Sequence, residues 1–399
     1  MDVPQNPARF PKLSLLSGTF FMAAMTSMAY AVATASRHAQ DLRVFQLGAR
    51  EWLDGTYKMG AGPIFLHPPF AVPLLAPLAL VSFDKLVLIW LLLNIAATIV
   101  TIYAVIKLYG SGWGATPRFY LAAFLLTWAP FRVTLRAGQM SLMITALLLG
   151  SLLARQSKRQ ILSGILLALS LSKYSLTYPF LLYLIWKREW KILGTAALTL
   201  ALLTQIFLWW LQMPALTMLK EYFHAVGSQM AGGSGFTGTT EIKVLLFGLT
   251  GNESVTFVST IVLCVVALVA MAVVFKRTVR CENIHFAILS LFALWSSYHR
   301  TYDSVICILP AALLIDFVVR GKLRKFSWIG LGALGLLVLS IPGFLTERLH
   351  LDHSQLTTNA LGFLGLHVER IMVFTFFCAL LVLLWKADRP VLNDICEAA

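Results

Sequence analysis

The sequence predicts an all-α, polytopic integral membrane protein, and three observations carry that prediction. Hydrophobic residues make up 58% of the 399-residue chain and charged residues only 13%, far from the roughly half apolar and quarter charged of soluble domains. Mean hydropathy is +0.78. Apolar runs of about 20 residues, the length that crosses roughly 30 Å of hydrocarbon, recur along the whole chain. The same composition excludes disorder and collagen-like repeats. The five cysteines form no C-x-x-C pair and read as buried thiols with no metal or redox role. In such a chain the net charge of +14 raises the question of which side of the bilayer holds it, and nucleic acid is not expected.

The runs fall at 13–35, 86–106, 119–135, 192–213, 255–275, 326–345 and 368–385, with a shorter one at 140–154. Two more stretches, 161–186 and 286–319, are apolar at both ends and polar in the middle, so each reads as two helices with the polar centre at the turn. Segment 69–83 is fifteen residues long and carries Pro69, Pro73 and Pro77 after Pro68, which marks it as re-entrant or interfacial. With the N-terminus inside, that choice puts most of the 32 basic residues in the cytoplasm. They include Arg155, Lys158, Arg159, Lys187, Arg188 and Lys191. A crossing at 69–83 would send nearly all of that majority outside, against the positive-inside rule. The start resembles a secretory signal, but its apolar run is too long for one and reads as an uncleaved anchor. The expected organisation is one membrane domain over 1–399, with extracytoplasmic loops at 36–85, 214–254 and 346–367 and a Gly-rich stretch at 227–238.

Under this topology the unusual polar residues gather on the outer face, where ionisable groups at membrane depth point to function. Asp41 follows the first span and precedes an amphipathic pattern over 44–53, as in an interfacial helix; helix capping is the alternative for its carboxylate. His67, before Pro68-Pro69, can hydrogen-bond a phosphate or sugar, with a structural role, the commoner one for a lone interfacial histidine, as the alternative. Arg136 and Gln139 join two apolar helices, the guanidinium suited to phosphate and the amide to a hydroxyl, with snorkelling to lipid headgroups as the alternative for Arg132 and Arg136. Lys173 stands alone at the tip of a shallow hairpin and needs an anion. Tyr298-His299-Arg300-Thr301-Tyr302-Asp303 interrupts an apolar stretch; Arg300 and Asp303 are spaced to pair, but His299 and the tyrosines add donors that such a pair does not need. The sequence has no P-loop, G-x-G-x-x-G, G-x-S-x-G or H-E-x-x-H, which leaves membrane-borne donors.

Together these residues resemble the membrane-embedded glycosyltransferases of class C, and within them glycosyltransferase family 87. The resemblance runs from Asp41 through Leu47-Gly48-Ala49-Arg50-Glu51-Trp52-Leu53-Asp54-Gly55-Thr56-Tyr57, Pro68-Pro69 and Leu75-Ala76-Pro77-Leu78. It continues at Gly138-Gln139, Ser163-Gly164 and Lys173 ahead of Pro179 and Lys187-Arg188-Glu189-Trp190. His67 and Met140-Ser141 depart from the family pattern. The resemblance implies a class C helical bundle with interfacial helices in a bacterial inner membrane. It implies a sugar, mannose, moved from a polyprenyl-phosphate donor to a lipid or glycan acceptor at the extracytoplasmic face. Asp41 is then the general base of an inverting displacement. Lys173, His299, Arg300 and Arg136 are assigned to the donor phosphate, and His67, Gln139, Tyr302 and Asp303 to substrate. No nucleotide cofactor is implied; with only Asp41 and Asp303 as hard ligands among the candidates, a divalent metal and the oligomeric state are left open. A lipid or solute transporter and a non-catalytic subunit of envelope-polysaccharide assembly are the competing readings; transporters often carry internal repeats, and none is visible here.

Overall fold

The computed structural model describes residues 15–58, 67–231, 240–279, 281–336 and 360–386, so Arg9, Lys12, most of the stretches at 227–238 and 346–367, and the C-terminal tail lie outside the described residues. Every regular element among the described residues is helical. In chain order these are α1 (Leu15–His38), α2 (Gln40–Leu53), α3 (Val72–Ala79), α4 (Phe83–Tyr109), α5 (Ala115–Thr127) and α6 (Ala129–Ala137). There follow α7 (Ser141–Gln156), α8 (Gln160–Ser170), α9 (Tyr174–Trp186), α10 (Trp190–Leu211), α11 (Ala215–Ala231) and α12 (Ile242–Thr250). The last are α13 (Glu253–Arg277), α14 (Glu282–Ser296), α15 (Ile308–Val319), α16 (Arg324–Leu336) and α17 (Ala360–Lys386).

Six helical stretches among the described residues are long and apolar enough to cross a bilayer: Phe83–Tyr109, Gln160–Trp186, Trp190–Leu211, Glu253–Arg277, Thr301–Val319 and His367–Lys386. Large apolar side chains stand exposed along α4 (Leu88, Leu92, Ile99) and α13 (Val258, Ile261, Val265). In water such surfaces would mark interfaces or aggregation; in lipid they are the ordinary outside. The chain is a multi-pass integral membrane protein.

By contacts the chain groups into two compact units. The Asp41 unit comprises 28–104 and 132–235; the His299 unit comprises 1–27, 105–131 and 236–399. In the Asp41 unit, Pro68-Pro69 leads through a 3₁₀ turn, Pro69–Ala71, into α3, which has 8 residues and spans only about 12 Å. By itself α3 is therefore too short to cross a bilayer. Its neighbour is α2, whose Gln46 donates to the carbonyls of Leu78 and Val81 at 3.1 and 2.7 Å and so satisfies the end of α3. Trp52, Tyr57, Val72, Phe207 and Met218 form an apolar cluster that fastens α2 and α3 to α10 and α11.

The stretch 160–186 has the length of a span, but it doubles back. Arg155, at the end of α7, pairs with Glu189, just past α9, at 2.7 Å, whereas a straight run of that length would hold those ends about 40 Å apart. The reversal occurs in a 3₁₀ turn, Leu171–Lys173, as expected of a hairpin with its polar centre at the tip. Ser151 and Ser163 exchange hydroxyl bonds between α7 and α8. Gly164 lets α8 meet α10, because a Cβ there would lie 2.6 Å from the Ile192 carbonyl oxygen and from Thr195 Cβ. Gly164→Ala should therefore destabilise the protein by about 1–3 kcal/mol, read as a lower midpoint of thermal unfolding in detergent. In this unit α7, α8 and α9 carry Ser141, Lys173 and Asp41's neighbours at one end, and Arg155, Lys158, Lys187 and Glu189 at the other.

Two expectations are corrected. Segment 119–135 is not one span: α5 stops at Thr127, Trp128 is extended, and Pro130 has no N–H to return to Leu126. Arg132 and Arg136 consequently ride on the separate, amphipathic α6, which buries Phe131, Thr134 and Leu135. Cys264, Cys307 and Cys378 are free thiols, but Cys281 is disulfide-bonded, so the reading of all five as thiols fails there.

Candidate functional site

Asp41 lies in the first turn of α2, half-buried, where the unpaired N–H groups of the helix favour a carboxylate. Capping does not account for it: Ala39 occupies the cap position and no side chain caps the helix. Its Oδ2 accepts a hydrogen bond from Gln139 Nε2 at 2.7 Å. Among the described residues this is the carboxylate's hydrogen bond, and Oδ1 takes none.

Gln139 reaches Asp41 because of how α6 ends. Gln139 N bonds the Thr134 carbonyl at 3.0 Å and Gly138 N bonds that of Leu135 at 3.3 Å, a paired closure that needs a left-handed residue, and Gly138 has φ +72°. A Cβ at Gly138 would also sit 2.6 Å from Leu42 Cβ on α2. Glycine thus both turns the chain and admits it against α2. After the turn α7 leaves at 114° to α6, with buried Gln139 at the bend.

Lys173 ends the 3₁₀ turn at the hairpin tip, its own backbone out of helical geometry at φ −123°, ψ 71°. Its ammonium donates to Ser141 Oγ at 2.9 Å and to Gln139 Oε1 at 3.4 Å. The tip is held from the loop side by His67, whose Nδ1 lies 2.9 Å from the Ser172 carbonyl. A carbonyl only accepts, so Nδ1 carries the hydrogen. The His67 ring stands edge-on to Phe45 of α2 at 5.2 Å. Next in sequence, Tyr174 is hydrogen-bonded to Tyr222 of α11, and burial pushes the Tyr222 phenol up from its ordinary range. Arg136 is half-buried on the last turn of α6 and has no hydrogen bond or ion pair with the described residues.

The His299 unit holds the remaining candidates. His299 is fully buried; its Nδ1 lies 3.0 Å from Asp303 Oδ2 and its Nε2 3.1 Å from Ser297 Oγ. Arg300 Nε donates to the Tyr298 hydroxyl at 2.8 Å, and its backbone N–H faces Asp303 Oδ2 at 3.4 Å. Tyr302 is half-buried in the 3₁₀ turn Thr301–Cys307. Thr301 donates to Glu369 Oε2 of α17 at 3.3 Å, beside buried Arg370 and His367. Glu241 has its carboxyl raised by burial, opposed first by Lys243 and also by His299 and Arg370. Among the described residues no three His, Cys, Asp or Glu side chains are grouped so as to hold a metal.

Residues 65–297, more than half of the chain, match the model of glycosyltransferase family 87. The chain belongs to that family. The family 87 match takes in His67, Arg136, Gln139 and Lys173; Asp41 and residues 299–303 lie outside it. The chain is similar to a polyprenol-phosphate-mannose-dependent alpha-(1-2)-phosphatidylinositol mannoside mannosyltransferase of Mycobacterium tuberculosis, with 28% identity over 187 residues. That similarity spans 40% of this chain and 41% of the mycobacterial protein. No solved structure matches the chain significantly.

For this family 87 protein, then, the structure joins Asp41, Gln139 and Lys173 through side-chain contacts, sets His67 behind the Lys173 tip, and pairs His299 with Asp303. Sequence reasoning gave no site role to Ser141, Glu369 or Arg370. A signal was present for the last two, an acidic and a basic residue adjacent at the start of an apolar run. Ser141 shows its role only through its contact with Lys173.

Proposed function

We propose that this protein is a membrane glycosyltransferase that moves mannose from a polyprenyl-phosphate donor to the hydroxyl of a lipid or glycan acceptor. The observation that carries the reading is the Asp41 carboxylate, which has Oδ2 held by Gln139, Oδ1 open and the Lys173 ammonium tied to the same amide. Asp41 Oδ1 takes the proton from the acceptor hydroxyl while that oxygen attacks the anomeric carbon. The bond from that carbon to the phosphate oxygen breaks, and its electron pair leaves with the polyprenyl phosphate. The added negative charge falls beside a cation, where electrostatic stabilisation has most effect. Lys173 is that cation in this reading, and Arg136 is a further one; for His299 and Arg300 the same assignment rests on the sequence. Single displacement inverts the donor's configuration, so a β-linked mannosyl phosphate gives an α-linked product.

The mycobacterial relative's name supports mannose and a polyprenyl phosphate carrier. Basic residues at the end of the Asp41 unit away from Asp41 support an extracytoplasmic site in a bacterial inner membrane. The test is a donor panel with the purified full chain in detergent: polyprenyl-phosphate-mannose, other polyprenyl-phosphate sugars and nucleotide sugars, each offered with membrane lipid extract. Sugar should move from the polyprenyl-phosphate-mannose alone, and transfer from a nucleotide sugar would refute the donor class.

A further inference from the structure

Gln139 is expected from the sequence to hydrogen-bond a substrate hydroxyl, yet within the Asp41 unit both ends of its amide are engaged by protein. Nε2 donates to Asp41 Oδ2 at 2.7 Å, and Oε1 accepts from Lys173 Nζ at 3.4 Å. The orientation of that amide is dictated by its neighbours. An ammonium only donates and an ionised carboxylate only accepts, so the NH₂ group must face Asp41 and the carbonyl must face Lys173. The side chain is also buried and its backbone is pinned by the closure at Gly138, so the amide has little freedom to turn elsewhere.

We infer that Gln139 is a positioning residue: it fixes the Asp41 carboxylate with one oxygen bound and the other presented to the acceptor hydroxyl, and Lys173, anchored on Ser141, fixes Gln139. Lys173 therefore acts on the base as well as on the donor phosphate. The inference rests on Asp41 being the base. A general base works only when its lone pair is held in line with the proton it takes, and a carboxylate on the first turn of an interfacial helix has two side-chain torsions that nothing else on α2 restrains. The hydrogen bond from a neutral amide restrains them without placing a full positive charge directly on the carboxylate, which would weaken it as a base.

The test compares wild type, Gln139→Ala, Gln139→Glu, Asp41→Asn and the double variant Asp41→Asn/Gln139→Ala, each purified, checked by thermal unfolding, and assayed with polyprenyl-phosphate-mannose. Gln139→Ala should lower kcat about 10- to 100-fold while leaving the donor KM within about threefold. Gln139→Glu keeps the volume but presents an acceptor to Asp41, so it should be no more active than the alanine variant, whereas a residue that merely fills space would be rescued by it. In the Asp41→Asn background Gln139→Ala should cost nothing further, because its whole effect passes through Asp41. An additive loss in the double variant, a raised donor KM with normal kcat, or rescue by glutamate would overturn the inference and leave the base standing. Full activity of Asp41→Asn would remove the base itself, and with it this role for Gln139.

Discussion

Replacing Asp41 with asparagine should lower the rate of sugar transfer by roughly 10² or more, the usual contribution of a positioned general base. The substitution keeps the size of the side chain and leaves an oxygen able to accept from Gln139, so α2 and its contacts survive. On the proposed mechanism it removes the ability to take a proton from the acceptor. The loss should fall on kcat, with the donor KM little changed, since the donor phosphate is assigned to cations and not to Asp41. Thermal unfolding within error of wild type is part of the expected result. Near-normal transfer by a folded Asp41→Asn protein would mean that another group, or water, receives the proton.

Lys173→Ala has the second large effect. The ammonium sits in a tip with Ser141 and Gln139 as neighbours, and a hydrogen bond to a charged group is worth about 1.5–3 kcal/mol. Losing the proposed contact with the donor phosphate should raise the donor KM about 10- to 100-fold. A smaller fall in kcat should accompany it as Gln139 loses the contact that orients its amide. Lys173→Met, which keeps most of the apolar stem, separates charge from packing and should behave like the alanine variant. If either variant binds donor as wild type does, the lysine is structural and the phosphate is held elsewhere.

Much of this architecture is legible in the sequence because its signals are local. Three prolines in fifteen residues go with a helix as short as α3, and an amphipathic pattern after Asp41 is enough to place α2. A single lysine between two apolar halves marks the tip of the α8–α9 hairpin. The break at Trp128 is less visible, since the apolar run continues through it and only Pro130 betrays the change. The contact that matters most has no local signal. Gln139 meets Asp41 across 98 residues and Lys173 across 34; it forms because Gly138 alone permits the turn and the approach to Leu42. A sequence shows that glycine but not what it touches. For the same reason Gln139 reads from sequence as a substrate ligand, with no sign of the protein partners that its amide meets in the fold.

The most direct test of the central claim is transfer of radiolabelled mannose from polyprenyl-phosphate-mannose to membrane lipid acceptors by wild type and Asp41→Asn, side by side, with release of polyprenyl phosphate followed in the same reactions. Labelled product and matching release with the wild type, both falling about 100-fold in the variant, is the predicted result. Equal transfer by the two proteins, or no release of polyprenyl phosphate by the wild type, would contradict it.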